Sequence, residues 1–155
     1  MTAMAPDAFY DEDFRVLTPE AFDFVLGNEL KRAMRSQNFV TLVVMGASPE
    51  DTGQGEDPVR HLARIVTHEV RETDLLTRTD DELSVVLLDA DMDSTMRVID
   101  RLMSRFDHYE FPRPVSITVG AASCPTHGTD PASLRRAAMA RPVVTRRARR
   151  RASNA

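Results

Sequence analysis

Residues 71–83 read RETDLLTRTDDEL, and this stretch decides the fold of the chain. Apolar and β-branched residues flank the acidic Thr79-Asp80-Asp81 segment, a pattern typical of a strand, a tight turn and a second strand that ends at Leu88. The stretch opens with an Arg-x-x-Asp pair formed by Arg71 and Asp74. The sequence therefore predicts an antiparallel hairpin, with a charged pair just before it.

The size and composition of the chain bound its class. With 155 residues it is long enough for one domain with a core and too short for two ordinary ones. One cysteine, Cys124, excludes an internal disulfide and supplies no metal framework. No apolar run approaches the roughly 18 residues of a membrane-spanning helix, and the acidic start does not resemble a signal peptide. We therefore expect a cytoplasmic protein without a membrane span.

The charges are distributed unevenly along the chain, although the formal net charge is only −4. Acidic residues crowd the first 15 positions, and arginines crowd the last 15. We expect residues 1–15 to form a flexible acidic lead-in, residues 16–142 the folded domain and residues 143–155 a basic tail. No aromatic residues interleave with the arginines of the tail, so we expect it to solubilise the protein and not to bind nucleic acid.

Apolar periodicity predicts the remaining elements. The Thr18-Pro19-Glu20 segment is typical of a helix start. Further predicted helices cover residues 59–70, 91–106 and 132–140, predicted strands cover 39–45 and 115–122, and a loop covers 46–58. The order helix, strand, helix, hairpin, helix, strand, helix predicts an α/β fold with a helix-covered mixed sheet that contains an antiparallel hairpin.

This pattern resembles the GGDEF domain of diguanylate cyclases over residues 14–140. In that family Arg-x-x-Asp, a short strand and Arg precede Gly-Gly-Asp-Glu-Phe, as residues 71–83 do here in altered form. The Leu17-Thr18-Pro19 segment matches the family's entry, and Ser116 to Ala122 match its Val-Ser-Ile-Gly-Val-Ala strand. The resemblance implies the nucleotidyl cyclase-like fold, an α+β sandwich.

The catalytic half of the family pattern is altered in this chain. The resemblance implies metal ligands from an Asp after the first core strand and from an acid in the hairpin turn. Here that strand ends in Met45-Gly46-Ala47, without a carboxylate. The signature turn reads Thr79-Asp80-Asp81-Glu82-Leu83, so a side chain and a negative charge replace the two glycines that approach phosphate. The sequence predicts a degenerate, catalytically inactive domain without a metal site or a cofactor.

The ligand-binding half of the pattern is retained. The resemblance implies an inhibitory site for cyclic di-GMP, formed here by Arg71, Asp74 and Arg101. An Arg fork donates to guanine O6 and N7, while a carboxylate accepts from N1–H and the amino group. We therefore expect a cyclic di-GMP receptor and signalling adaptor with a protein partner still to be identified. Because the ligand often binds as a stacked pair in this family, ligand-linked homodimerisation is a further expectation.

Two rival functions remain open. Arg-x-x-Asp recurs at Arg78–Asp81 and Arg97–Asp100, so an ordinary ion pair at a helix end is the competing explanation of Arg71 and Asp74. The chain would then be a nucleotide-independent protein–protein interaction module with the GGDEF fold. An active cyclase with unusual metal ligands from Glu50, Asp51 or Asp57 is the third hypothesis.

Two further motifs favour structural interpretations. Residues 87–92 resemble the phosphoacceptor strand end of receiver domains, but the acidic pair and late lysine of those domains are missing, which favours an Asp-capped helix. His61 and His68 lie seven positions apart on one predicted helix. Without a third ligand nearby, they are typical of surface residues and not of a metal site.

Overall fold

The structure, a computed structural model, describes residues 10–11, 16–50, 57–79 and 81–148. The described strands are β1 (Tyr10–Asp11), β2 (Val16–Leu17), β3 (Val40–Pro49), β4 (Leu75–Arg78), β5 (Glu82–Leu88), β6 (Val115–Cys124) and β7 (Pro142–Ala148). The described helices are α1 (Pro19–Ser36), α2 (Pro58–Glu69), α3 (Met92–His108) and α4 (Pro131–Ala140). None of these helices is both long and apolar enough to cross a bilayer.

The strands form one mixed sheet in the order β1-β2-β4-β5-β3-β6-β7. Only the contact between β2 and β4 is parallel, and the other pairs in the described sheet are antiparallel. The β4–β5 hairpin lies beside the central strand β3, which pairs with β5 on one side and β6 on the other. The predicted mixed sheet with an antiparallel hairpin is confirmed.

Each of the four described helices begins at a residue whose side chain caps it. Thr18 Oγ1 accepts a hydrogen bond from Ala21 N at 3.3 Å, at the start of α1. Carboxylates of Asp57, Asp91 and Asp130 each accept from a backbone N–H of α2, α3 and α4 at 2.9 Å. These caps satisfy N–H groups that have no partner inside the helix, so local sequence alone sets where the helices start.

The sheet separates two hydrophobic cores. Side chains alternate along β3, so Val43 and Met45 belong to one core while Leu42 and Val44 belong to the other. The first core contains apolar residues of α2 and α3, and the second contains those of α1 and α4. This arrangement explains the nearly continuous apolar run in β3, because a strand covered on both faces needs apolar residues at every position.

Strand β3 is longer than the sequence predicted. It continues to Pro49 because residues 46–49 pair with residues 115–118 of β6. The predicted loop at 46–58 was therefore wrong for its first four residues, and positions 51–56 lie outside the described residues. The Gly and Pro residues of this segment had favoured a loop, but pairing with the ten-residue strand β6 extends β3 through it.

Two predictions about the ends of the chain need correction. Residues 142–148 form β7, an antiparallel neighbour of β6, so the predicted basic tail was wrong for residues 143–148. Without β7, the backbone groups along one side of β6 would lack hydrogen-bond partners, and residues 142–148 pair with them. The charge composition of the segment does not reveal this pairing. Tyr10 and Asp11 pair with Leu17 and Val16, within the predicted lead-in. The other residues of both end segments lie outside the described residues.

Candidate ligand-binding site beside the hairpin

Asp74 lies in the short connection between α2 and β4, and its side chain is only 2% exposed. Its Oδ2 accepts a hydrogen bond from Arg71 N at 3.0 Å, and its Oδ1 accepts one from Leu88 N at 3.2 Å. The first bond stabilises the turn before β4, and the second joins that turn to the end of β5. This carboxylate therefore fixes the open end of the hairpin.

Arg71 lies at the surface above the same end of the hairpin. Its side chain is 63% exposed, and its Nε lies 3.7 Å from Asp74 Oδ2. Nη2 donates to the carbonyl of Leu88 at 2.6 Å. The contacts with Asp74 and with the Leu88 carbonyl thus hold the guanidinium over the end of β5, and the side chain remains largely exposed to solvent.

Arg101 approaches from α3 and contacts Glu69 at the end of α2. Its Nε lies 3.2 Å from Glu69 Oε1, and its Nη2 donates to the Glu69 carbonyl at 3.1 Å. Arg105, one turn further along α3, places its Nε 2.7 Å from Glu69 Oε2. The Glu69 carboxylate is therefore held between two guanidinium groups and is 10% exposed.

Arg71, Asp74 and Arg101 line one cavity of about 260 Å³. Glu69 and Asp89 also line it, so its wall carries three carboxylates with two arginines. The structure brings together the three residues that the sequence selected, although they come from a turn and a separate helix. Their role in binding a ligand stays a prediction.

The sequence reasoning missed Glu69 and Asp89. Glu69 is distant from Arg101 along the chain, and only the packing of α2 against α3 makes them neighbours. Asp89 directly follows β5 and has a φ of 55°, a left-handed conformation that Asp adopts more readily than most residues. Its position directly after an apolar strand was the one available signal, and the segment was interpreted only as a strand end before a helix capped by an Asp.

The signature turn is as tight as the sequence predicted. Thr79 N donates to the Glu82 carbonyl at 2.9 Å, and Arg78 pairs with Leu83 across the hairpin. Leu83 is fully buried, and Asp81 is exposed. The remaining residue of the turn, Asp80, lies outside the described part of the chain.

The Glu82 side chain is engaged by the last helix. Arg135 of α4 donates from Nη2 to Glu82 Oε1 at 2.5 Å and from Nη1 to Ser84 Oγ at 3.1 Å. Across the sheet, Glu82 pairs with Gly46, which belongs to the strand end where the resemblance implies a metal-binding Asp. A Cβ at Gly46 would lie 3.1 Å from Thr118 Oγ1, so any side chain there would require Thr118 to move.

The two histidines of α2 lie in different environments. His61 is 6% exposed, and its Nδ1 lies 2.5 Å from the hydroxyl of Tyr109. Its ring packs against Tyr109 and Phe111, with centroids 5.6 and 6.2 Å away. The prediction of a surface residue was wrong for His61, because the segment after α3 covers this face of the helix. His68 is exposed, as predicted.

The chain was compared with protein-family models, curated proteins and solved structures. No family model matches it, and no curated protein matches it. The GGDEF domain of TpbB (or YfiN) from Pseudomonas aeruginosa is 21% identical, with 84% of each chain covered and a TM-score of 0.72.

Two further solved structures are similar. The coiled coil and GGDEF domain of DgcB from Caulobacter crescentus, in complex with c-di-GMP, is 14% identical, with 87% of this chain and 79% of that chain covered and a TM-score of 0.74. The active GGEEF domain of a diguanylate cyclase from Vibrio cholerae is 14% identical, with 78% and 85% covered and a TM-score of 0.68. At these identities the similarity is one of structure, and the chain has the fold of GGDEF domains.

Proposed function

We propose that this chain is a catalytically inactive GGDEF-type domain that acts as a cyclic di-GMP receptor through the cavity beside the hairpin. The observation that carries the proposal is the convergence of Arg71, Asp74 and Arg101 on that one cavity. GGDEF domains of similar fold include one in complex with c-di-GMP.

Arg71 is the group best placed to contact a guanine. Its guanidinium is exposed at the cavity, and it carries five N–H donors, of which Nη2 is directed to the Leu88 carbonyl. Two parallel donors match the O6 and N7 acceptors of guanine, a geometry that a lysine would not provide. We therefore assign the guanine contact to Arg71.

Asp74 contributes mainly by positioning. Each of its carboxylate oxygens already accepts a backbone N–H, yet each oxygen can accept a second donor. A guanine amino group reaching the cavity would supply that donor. Loss of Asp74 would therefore weaken binding chiefly by releasing the backbone of Arg71.

Arg101 would contact the phosphates of the ligand. Its Nε and Nη2 are directed to Glu69, which leaves further N–H groups of the same planar guanidinium to pair with a phosphate oxygen. The neighbouring Glu69 carboxylate opposes an anionic ligand, but it is met by Arg105 as well. The affinity of the site then depends on how far Glu69 is neutralised.

The size of the cavity fits one base and not a whole cyclic dinucleotide. Pockets that enclose a drug-sized ligand have volumes of roughly 300–1,000 Å³, and this one has about 260 Å³. A bound ligand would insert one guanine and expose the remainder. A second copy of the chain or a partner protein would cover that remainder, which is the basis for ligand-linked assembly.

Two features support the proposed lack of cyclase activity. The Met45-Gly46-Ala47 segment provides no carboxylate where the resemblance implies a metal ligand, and Glu82 is paired with Arg135. Pure protein incubated with GTP and Mg²⁺ is expected to form no cyclic di-GMP, as followed by chromatography with a diguanylate cyclase as positive control. Accumulation of product would overturn this part of the proposal.

The receptor role is tested by calorimetric titration with cyclic di-GMP. We expect binding in the micromolar range or tighter, and a loss of about 1–3 kcal/mol, or roughly 5- to 150-fold in affinity, in Arg71→Ala. Arg97→Ala is the matched control, because Arg97 is exposed on α3 and its substitution removes the same charge. Equal affinities of Arg71→Ala and the unaltered protein would rule out the assignment.

One observation favours the alternative of a nucleotide-independent interaction module. Three of the described residues that line the cavity carry carboxylates, and each oxygen of Asp74 already accepts one backbone N–H. On this alternative the ion pairs around Glu69 are purely structural. It predicts that no nucleotide raises the melting temperature of the protein, whereas the melting temperature of a receptor would rise with the logarithm of the ligand concentration above its Kd.

A further inference from the structure

A second cavity, of about 520 Å³, lies between α2 and α3. It shares Glu69 with the hairpin cavity but includes none of Arg71, Asp74 and Arg101. Its volume falls within the range of pockets that take up small molecules. The cavity is therefore distinct from the proposed cyclic di-GMP site.

Two pairs of basic side chains line this cavity. Arg64 and His68 lie four positions apart on α2, and Arg105 and His108 lie three positions apart on α3. These spacings place both members of a pair on one helix face. Packing of α2 against α3 turns both pairs toward the same space.

Hydrogen bonds orient both imidazoles. His68 Nδ1 lies 3.1 Å from the Arg64 carbonyl, and His108 Nδ1 lies 2.8 Å from the Ser104 carbonyl. A carbonyl only accepts, so each ring keeps its proton on Nδ1 and leaves Nε2 to meet a ligand. An imidazole that also carries a proton on Nε2 donates to an anion from that atom.

The cavity carries a net positive charge. The one carboxylate that the described residues contribute to its lining, Glu69, already pairs with Arg105 and with Arg101 of the neighbouring cavity. No described carboxylate forms an ion pair with Arg64. Among the described residues, the Arg64 guanidinium therefore has no carboxylate partner, which favours an anionic ligand. Each imidazole adds a donor to that ligand when its Nε2 carries a proton.

The remaining lining is apolar and held in place. Ile65 is buried in the core beneath the cavity, and Tyr109 lies at the end of α3. The hydroxyl of Tyr109 is bonded to His61 and its ring packs against Phe111 at 4.8 Å, so its orientation is fixed. A flat ring in the ligand would pack against these two side chains.

We propose that this cavity binds a small phosphate ester that carries a flat ring, the chemistry of a nucleoside monophosphate. The phosphate contacts Arg64, His68 and His108, and the ring packs on Ile65 and Tyr109. The proposal does not depend on cyclic di-GMP binding, because the two cavities use different arginines. The cavity between α2 and α3 would then bind a ligand different from that of the hairpin cavity.

The test is a calorimetric titration of the full chain with adenosine 5′-monophosphate, which lacks the guanine edge that Arg71 would read. We expect saturable binding that weakens about tenfold or more in Arg64→Gln and in His108→Gln. Adenosine, without phosphate, is expected to bind at least tenfold more weakly. Arg71→Ala and Arg97→Gln are expected to bind as the unaltered protein does.

Three results would overturn the proposal: no saturable binding, unchanged affinity in Arg64→Gln, or loss of binding in Arg71→Ala. The last would place the nucleotide in the hairpin cavity. Circular dichroism of each variant verifies folding, which we expect to be retained because Arg64 and His108 are exposed.

Discussion

At the scale of single residues, Asp74 is the buried carboxylate on which the hairpin depends. It accepts backbone N–H groups from Arg71 and Leu88. Asp74→Ala would leave both donors without this acceptor, and we expect the free energy of unfolding to fall by about 1–3 kcal/mol. Urea denaturation measures the change, with Asp100→Ala on the exposed side of α3 as control. Equal stabilities of the two variants would contradict the structural role of Asp74.

His127 links stability to pH at the end of β6. Burial, and secondarily the charge of Arg141, lowers the pKa of His127 below its ordinary value of 6.5. The Ser123 N–H donates to its Nδ1 at 2.9 Å, so the neutral ring is the form that fits. Below pH 6.5 the unfolded chain therefore binds more protons than the folded one.

The stabilising contribution of His127 is consequently complete above pH 6.5 and is lost as the pH falls through its folded pKa. His127→Asn keeps an acceptor for the Ser123 N–H but does not titrate. We expect the free energy of unfolding of this variant to fall less steeply below pH 6.5 than that of the unaltered protein. Identical pH profiles for the two proteins would show that His127 makes no contribution.

At the scale of elements, β7 decides whether β6 has an exposed edge. Val119 pairs with Val144, and Val143 packs against the core. We expect removal of residues 142–155 to lower the free energy of unfolding by at least roughly 1.5 kcal/mol and to promote association through the β6 edge. Denaturation and light scattering measure both effects. Removal of residues 149–155 alone is the control, and equal behaviour of the two truncations would contradict a role for β7.

Local signals were enough to predict some elements and not others. The start of α1 followed from Thr18 and Pro19, since capping and a fixed proline φ act within one turn. The end of β3 and the existence of β7 depend on pairing with β6, which joins residues far apart in sequence. Glu69 escaped prediction for the same reason, because its contact with Arg101 is made only when α2 packs against α3. The family resemblance was enough to select Arg71, Asp74 and Arg101, but only the structure shows that they line one cavity.

At the scale of the whole molecule, the sheet separates two helix pairs, and both cavities lie on the side of α2 and α3. The opposite helix pair engages the signature turn through Arg135 and Glu82. The altered turn thus contacts the helix layer of α1 and α4, whereas the proposed ligand site contacts the layer of α2 and α3. A ligand at the hairpin cavity would act on α2 and α3 and on whatever surface covers its exposed half.

The most direct test of the receptor proposal is to map cyclic di-GMP on the ¹⁵N-labelled protein by amide chemical shifts. The account predicts that saturating ligand shifts the amides of residues 69–74, 88–90 and Arg101, and that Arg71→Ala abolishes these shifts. The amides of β6 and β7, on the far side of β3 from the hairpin, are expected to shift least. Absence of shifts at high ligand concentration, or shifts confined to residues outside the hairpin cavity, would contradict the account.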